Sequence, residues 1–372
     1  MREARIELKK SFFSPVEQEL LSAGEFTVSL FRYPSGVEAV RIRNSRGHLI
    51  VLPFMGQMIW DAVFDGVSLT MKNMFSQPQP AKGILETYGC FAYHSGLLRN
   101  GCPSPEDSHP LHGEMPCAPM DRAWLVLLED AQGPQVALVS EWEYVMGFGS
   151  HYLATPRVAL RTGETLFDLE INVKNLSRTA MDLMYICHTN FALVRDGEIF
   201  QGADFSPADT SVRKSIPSHV VPTPAYKKLI EVFDKHPEKS AVLKDAELYD
   251  PEQVFFIRNL RTDKHGMTHM MVRRPERDAF YMSWSLKQMP KTIRWILCNA
   301  DQEVGAFALP GSCEPEGYLA EKRKGNVRRL AGGRSARFQA RLGYLDPAGA
   351  EAAKRAIENL KPSPIKDQGD HT

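Results

Sequence analysis

The chain has 372 residues, of which 43% are hydrophobic and 24% charged, and this composition is typical of a globular protein with a large core. Its 45 basic and 45 acidic side chains cancel, so the charge gives no indication of binding to nucleic acid or to an anionic membrane. The first ten residues are charged without a following apolar run, and no apolar stretch is long enough to cross a bilayer. We therefore expect a cytoplasmic protein without a secretory leader, with its six scattered cysteines as free thiols.

Two stretches in the first half of the chain predict β-hairpins. Asp65-Gly66 separates residues 58–64 from residues 67–71, and this dipeptide favours a hairpin because both residues tolerate a positive φ. A Gln-Gly-Pro turn separates residues 125–128 from residues 136–139 in the same way. Short strands joined by such turns, with few helical patterns, are typical of an all-β sandwich or barrel.

Two stretches near the middle of the chain predict strands with different surroundings. Residues 167–174 alternate four apolar with four polar side chains, which is the pattern of a sheet with one face in water. In residues 181–190, a period of two places His188 in one row with Met184 and Ile186. Further strands are predicted at 280–286, 292–298 and 336–342.

Helical patterns are confined to two places in the second half of the chain. Residues 224–235 predict a short helix, and residues 348–360 predict a second one, which Asp346-Pro347 begins and which Ala, Glu and Lys fill. The polar tail after Lys361 is predicted to be disordered.

The pattern predicts one large β domain. We expect this domain to span residues 1–345, with an irregular excursion near 201–264 that is more polar than its surroundings. Residues 346–372 are expected to form a C-terminal helix and a disordered tail.

The stretch from His109 to Glu114 concentrates residues with possible chemistry, because it places two imidazoles and a carboxylate beside a Pro and a Gly. Gly113 has no side chain, so His112 beside it could approach a ligand closely. In an extended segment Glu114 would share a face with His112. The same spacing also admits a metal site, since two imidazoles and a carboxylate suit zinc, iron or nickel. A loop whose polar groups satisfy each other is the alternative without function.

Two later residues are candidates for proton transfer. His188 ends an apolar row, and an imidazole has the pKa best placed to give or take a proton near neutrality. Glu314 lies in Ser312-Cys313-Glu314-Pro315, where the proline keeps the preceding residue out of helical geometry. Each residue also has a plain structural interpretation, as a hydrogen-bonded core histidine and as an acid in a surface loop.

Three short motifs, in their order along the chain, resemble those of the aldose 1-epimerase (galactose mutarotase-like) superfamily. They are Leu111-His112-Gly113, the segment from Asn175 to His188, and Cys313-Glu314-Pro315. The resemblance extends from about residue 51 to residue 345 and is nearest to a divergent branch of bacterial proteins. It implies a large β-supersandwich with a sugar-binding cleft on one sheet.

The resemblance also implies roles for individual residues in interconverting the α and β anomers of an aldose. Glu314 corresponds to the general base at the C1 hydroxyl, His188 to the general acid at the ring oxygen, and His112 to a second histidine at that oxygen. Arg99 and Asp263 are the expected sugar-binding residues. No metal or organic cofactor is implied, and the expected partner is a small-molecule sugar.

Other possibilities remain at this point. Arg99 and Lys264 would suit an anionic or phosphorylated sugar, and His94, Trp284 and Trp295 are further candidates for the cleft wall. A second class of function is a sugar-binding protein of this fold without catalysis. A third is a metal-dependent sugar isomerase that uses His109, His112 and Glu114.

Overall fold

The structure is a computed structural model that describes residues 2–216 and 220–363, and β-strands dominate it. The strands are β1 Arg2–Leu8, β2 Gln18–Ala23, β3 Phe26–Arg32, β4 Glu38–Asn44, β5 Gly47–Leu52, β6 Met58–Phe64, β7 Val67–Ser68, β8 Ala92–Leu97, β9 Arg122–Asp130, β10 Gly133–Val145, β11 His151–Arg161, β12 Leu166–Asn175, β13 Met181–Thr189, β14 Glu198–Gln201, β15 Thr210–Val212, β16 Gln253–Ile257, β17 Met267–Arg273, β18 Ala279–Ser285, β19 Lys291–Cys298, β20 Glu303–Gly311, β21 Arg328–Leu330 and β22 Ser335–Leu345. The α-helices are α1 Pro224–Lys235, α2 Tyr318–Arg323 and α3 Pro347–Glu358.

The strands form two antiparallel sheets. The smaller sheet has the order β1-β9-β10-β11-β12-β22-β18-β17-β14. The larger sheet has the order β15-β16-β19-β20-β13-β8-β6-β5-β4-β3-β2, with β7 beside β6 and β21 beside β13. The predicted all-β class and its two-sheet arrangement are therefore confirmed.

The main hydrophobic core draws its buried side chains from both sheets. On β12 the residues Phe167, Leu169, Ile171 and Val173 are buried while their neighbours are partly or fully exposed, as the alternation predicted. On β13 the residues Leu183, Tyr185 and Cys187 enter the same core. Removing such side chains from water is the largest favourable contribution to folding.

The larger sheet is covered on its second face as well. Met184 and Ile186 alternate with the core residues of β13 and pack in a separate cluster with Tyr93 of β8 and Leu309 of β20. His188 continues this row, as the period of two predicted. β13 is consequently buried along both faces, and its second face looks into a cavity rather than into the main core.

The predicted local elements are found with small changes in their bounds. Asp65 and Gly66 both have positive φ, at 50° and 77°, and join β6 to β7. Helix α1 has the predicted bounds and begins with a hydrogen bond from the Tyr226 N–H to the Thr223 side chain. The predicted tail after Lys361 lies largely outside the described residues. Within the described residues, no helix combines the length and hydrophobicity needed to cross a bilayer.

The segment predicted as an irregular excursion near 201–264 contains regular structure. Its strands β15 and β16 extend one edge of the larger sheet, where β16 pairs with β19. Helix α1 and two 3₁₀ turns of five and four residues connect these strands. This position brings residues of the segment, among them Arg213, Glu252 and Val254, to the wall of a cavity on the larger sheet.

Candidate functional site

A cavity of about 400 Å³ opens on the second face of the larger sheet. Its volume lies in the range of about 300–1,000 Å³ that is usual for small-molecule sites. The polar and aromatic residues that line it include Phe75, Tyr88, His112, His188, Arg213, Glu252, Trp295, Asn299 and Gln302. Much of the remaining wall is aliphatic, and six of its residues are Leu111, Val254, Ile293, Leu297, Leu309 and Pro315.

His188 is fixed in this wall by aromatic neighbours. Its ring stacks on Tyr93 with centroids 4.5 Å apart and planes 14° apart, and Trp295 meets it edge-on at 5.8 Å. Its Nε2 lies 3.4 Å from the Tyr88 hydroxyl. Burial lowers the pKa of His188 well below its ordinary value, and the neighbouring His112 lowers it further. The imidazole is therefore neutral at pH 7 and can present an N–H to a bound molecule.

His112 is fixed mainly through its backbone. It has a φ of 60°, in the left-handed region, where its N–H donates to Gly101 O at 3.0 Å and its carbonyl accepts from the Gly96 N–H at 2.9 Å. Gly113 follows with a φ of 81°, and a Cβ there would lie 2.2 Å from Arg99 O. The glycine is thus required by a close approach of the chain to itself, rather than by a ligand as the sequence suggested.

The two histidines face one another across the cavity wall. Their ring centroids are 4.9 Å apart with planes at 71°, and the exposed fractions of His112 and His188 are 7% and 4%. They come from segments 76 positions apart in the sequence. Strand β8 brings them together, because its Tyr93 is the register partner of His188 and its Gly96 N–H donates to the His112 carbonyl. Two buried imidazoles in a cavity can act on one oxygen atom of a ligand.

Glu252 and Arg213 contribute the charged groups of the cavity wall. The Arg213 Nη2 donates to Glu252 Oε1 at 2.5 Å, and the Trp295 indole N–H donates to Glu252 Oε2 at 2.7 Å. Neither Glu252 nor Arg213 is predicted from the sequence, since both lie in the segment expected to be an irregular excursion. The available signal was an acidic residue directly before the short apolar stretch that forms β16.

Glu314 lies one residue from the cavity wall, which includes Pro315. Its carboxylate accepts from Arg258 Nη2 at 3.0 Å and from Lys324 Nζ at 2.7 Å, and its backbone N–H donates to Glu321. Burial would raise the pKa of Glu314, but the charges of Lys324, Arg258 and Lys291 outweigh this effect and lower it. The structure therefore brings His112 and His188 together and leaves the ionised Glu314 carboxylate beside the cavity, directed at two cations.

The two residues predicted to bind sugar lie elsewhere. The Arg99 guanidinium stacks on the Tyr318 ring at 3.5 Å and donates to Leu98 O. Asp263 lies in the turn before β17 of the smaller sheet, where its carboxylate accepts from the N–H groups of His265 and Met267. Neither residue lines the cavity. Arg99 and Asp263 are consequently left out of the site proposed below.

The metal alternative fails on geometry. The left-handed pair His112-Gly113 turns the chain, so that Glu114 does not share a face with His112. The Glu114 carboxylate instead accepts from two backbone N–H groups and from the Tyr152 hydroxyl at 2.8 Å. His109 contacts Asp107 and the Tyr318 N–H. Within residues 2–216 and 220–363, no three His, Cys, Asp or Glu side chains are close enough to hold a metal ion.

The three further candidates for the cleft wall have separate outcomes. Trp295 lines the cavity between Tyr88 and His188. Trp284 is fully buried in the main core, where its indole N–H donates to Met289 O at 3.2 Å. His94 is fully buried against the Tyr185 hydroxyl, at 2.9 Å, on the face of the sheet opposite to the cavity.

Solved structures with this two-sheet arrangement include proteins described as epimerases and mutarotase-like proteins. The match to a candidate aldose 1-epimerase from Klebsiella pneumoniae covers 98% of this chain and 100% of that protein's chain, with a TM-score of 0.79 and 15% identity. A galactose mutarotase-like protein from Clostridium acetobutylicum matches 87% of this chain and 99% of its own, with a TM-score of 0.56 and 12% identity. The predicted galactose mutarotase-like fold is thereby confirmed.

The sequence comparisons give a family but no activity. No protein of curated function matches the sequence significantly. The sequence profile of one family matches residues 34–343, which is most of the chain. The arrangement of its two sheets gives the chain the galactose mutarotase-like fold. Because of the profile match, the chain belongs to the family described as "Domain of unknown function (DUF4432)".

Proposed function

We propose that this protein is a carbohydrate mutarotase, which interconverts the α and β anomers of a reducing sugar by opening and reclosing its ring. The observation that carries the proposal is the pair of buried histidines, 4.9 Å apart, in the wall of a cavity of about 400 Å³. Ring opening needs a proton at the ring oxygen and the loss of one from the C1 hydroxyl. A site for this reaction therefore needs a donor and an acceptor on either side of one C–O bond.

His188 is assigned the role of proton donor to the ring oxygen, and His112 supports it with a second N–H. The lowered pKa of His188 keeps its resting ring neutral. Its N–H hydrogen-bonds the ring oxygen, and this proton moves to that oxygen as the C1–O bond breaks and Glu314 takes the C1 hydroxyl proton; both protons return when the ring recloses. The stack on Tyr93 and the edge contact with Trp295 hold the ring in place. Proton transfer by a positioned side chain accelerates reactions by about 10²–10⁴-fold.

Glu314 is assigned the role of proton acceptor at the C1 hydroxyl. Its carboxylate is ionised, and its partners Arg258 and Lys324 have side chains that are 40% and 37% exposed, so that they can move aside. The oxygens of Glu252 are held by the buried Arg213 and by Trp295. We therefore assign Glu252 to holding a sugar hydroxyl rather than to proton transfer. The reaction proposed here uses no metal or organic cofactor.

A second candidate function is sugar binding without catalysis. It is favoured by the contacts of the Glu314 carboxylate, whose two oxygens accept from Arg258 and Lys324, two cations that do not line the cavity. If these contacts persist in the complex, the site has its donors but lacks its base.

NMR exchange spectroscopy between α and β anomers tests the proposal. We expect the protein to accelerate exchange, Glu314→Gln to abolish the acceleration with sugar binding retained, and Glu252→Gln to weaken binding more than turnover. If Glu252→Gln instead abolishes exchange with binding retained, and Glu314→Gln mainly weakens binding, Glu252 is the base. Binding without acceleration by the unaltered protein would favour the second candidate, and full activity of Glu314→Gln and His188→Gln would overturn the site.

A further inference from the structure

The mouth of the cavity carries an apolar rim formed by Met74 and Leu85. Both side chains line the cavity, and 63% of Met74 and 67% of Leu85 are exposed to solvent. Exposed apolar side chains that line a cavity offer a surface that a ligand with an apolar edge can cover, which removes them from water.

The exposure of this rim is imposed by the loop that carries it. Leu85 lies in the 3₁₀ turn Ile84–Thr87, whose first and last residues are buried and anchor it. The Asn73 side chain fixes the other end of the loop by accepting from the Phe75 N–H at 2.8 Å and donating to Gly89 O at 3.2 Å. These contacts hold the rim at the mouth, where its apolar side chains contact a ligand that enters the cavity.

The wall behind the rim is also largely aliphatic. Leu111, Val254, Ile293, Leu297 and Leu309 contribute to it, apart from the polar groups already described. A sugar that carries a hydroxyl at every carbon would place some of them against these side chains without a hydrogen-bond partner. Such a loss is costly, because a buried polar group without a partner forfeits its hydration.

The cationic group in the wall is already neutralised. Among the described lining residues, Arg213 is the one Lys or Arg, and its guanidinium lies 2.5 Å from Glu252 and 3.6 Å from Glu316. A phosphate or carboxylate on the sugar would have to displace a buried carboxylate to reach it. Arg99 and Lys264, which the sequence suggested for an anionic sugar, do not line the cavity.

From these observations we infer the substrate class: an uncharged reducing sugar that is partly apolar, with a hydroxyl away from C1 replaced by hydrogen or carrying an alkyl group. This inference rests on the proposed function, since it names the substrate of the same site. The free C1 hydroxyl meets the proton-transfer groups, while the deoxygenated or alkylated edge covers the aliphatic wall and the rim.

The experiment measures both anomer exchange and binding for a matched panel of sugars. The panel consists of D-glucose, 6-deoxy-D-glucose, 3-O-methyl-D-glucose, D-glucose 6-phosphate and D-glucuronate, with the galactose series in parallel. We expect at least one deoxy or O-methyl sugar to exceed its parent in kcat/KM by about tenfold, which is the low end of the effect of one apolar group in a matched pocket. The two anionic sugars should fall below the parent.

The outcomes separate this inference from the function on which it rests. Accelerated exchange that is fastest for the parent hexoses or for the anionic sugars overturns the substrate class and leaves the mutarotase. Tighter binding of the deoxy or O-methyl sugars without exchange supports the class and overturns the mutarotase. Neither exchange nor binding of any panel member overturns both.

Substitutions at the rim provide a second test. Leu85→Ser and Met74→Ser should fold normally, because both side chains are exposed, and should reduce the preference for the apolar sugar by about threefold or more, a loss of part of one apolar contact. Val16→Ser is the matched control, since Val16 is 70% exposed and does not line the cavity. An unchanged preference in both rim variants would overturn the role of the rim.

Discussion

Two buried histidines lie on the paired strands β8 and β13, and they face opposite sides of the larger sheet. His94 faces the main core, where it meets Tyr185, whose ring stacks on Phe338 of the smaller sheet at 4.4 Å. His188 faces the cavity with His112. Burial lowers the pKa of both residues, to about 3 for His94. Burial and a shifted pKa therefore do not distinguish a site from a core, whereas the cavity beside His188 does.

The largest expected effect comes from replacing His188 by glutamine, with the same substitution at His94 as the comparison. We expect His188→Gln to lower the rate of anomer exchange by about 10²–10⁴-fold, because it removes the proton donor at the ring oxygen. His94→Gln should retain exchange, since its side chain does not reach the cavity. The exchange rate measured by NMR on both variants checks this, with circular dichroism as the control for folding. Equal losses in the two variants would contradict the distinction.

Tyr185→Phe sharpens the comparison on the core side. It removes the hydroxyl that lies 2.9 Å from His94 Nδ1, while His94 Nε2 has no hydrogen-bond partner among the described residues. We expect the free energy of unfolding to fall by about 1–3 kcal/mol, the cost of leaving a buried polar group unpaired. Urea unfolding measures this change. The exchange activity should stay the same, and its loss would show that the two faces of the sheet are coupled.

The pH dependence of stability gives a third test. The folded-state pKa of His94 is about 3, below the ordinary value of about 6.5, so between these values the unfolded chain binds a proton that the folded chain does not. The stabilising contribution of neutral His94 is therefore present above pH 6.5 and is lost as the pH falls. When the pH falls from 6.5 to 5, the free energy of unfolding should decrease in the unaltered protein by about 1–2 kcal/mol more than in His94→Gln. Parallel curves from urea unfolding would contradict the buried neutral state.

The smallest effect is expected from Tyr93→Phe on the cavity side. The substitution removes a hydroxyl that donates to Tyr88 at 3.3 Å, a long hydrogen bond, and keeps the ring that stacks on His188. We expect a change in exchange rate below about threefold, and a loss of stability below about 1 kcal/mol. Steady-state exchange kinetics check the rate. A loss above tenfold would show that the hydroxyls of Tyr93 and Tyr88 take part in proton transfer at His188.

Much of the local structure could be predicted because it depends on neighbours in the sequence. The alternation in β12 follows from one buried and one wetter face, and the hairpin at Asp65-Gly66 follows from the freedom of both residues to adopt a positive φ. Placing His188 in one row with Met184 and Ile186 also needed only the period of a strand. The approach of His112 to His188 was inferred from the resemblance rather than from such a pattern.

Other parts of the site depend on contacts between distant segments and left little local signal. Glu252 reaches the cavity because β16 joins β19 at the edge of the larger sheet, which no pattern around Glu252 predicts. The left-handed geometry of His112 also overturned the expectation that Glu114 shares its face. Two backbone hydrogen bonds fix that geometry: the Gly96 N–H donates to the His112 carbonyl, and the His112 N–H donates to the Gly101 carbonyl.

The sequence by itself determined the all-β class, the positions of nine strands and the row of side chains that contains His188, since each depends on hydrophobic periodicity within a few residues. The tertiary structure decided which face of each strand meets the core and which meets the cavity. It also decided that Arg213 is neutralised and that Arg99 and Asp263 lie away from the cavity. These properties arise from strand pairing across the chain, where burial and charge depend on residues far apart in sequence.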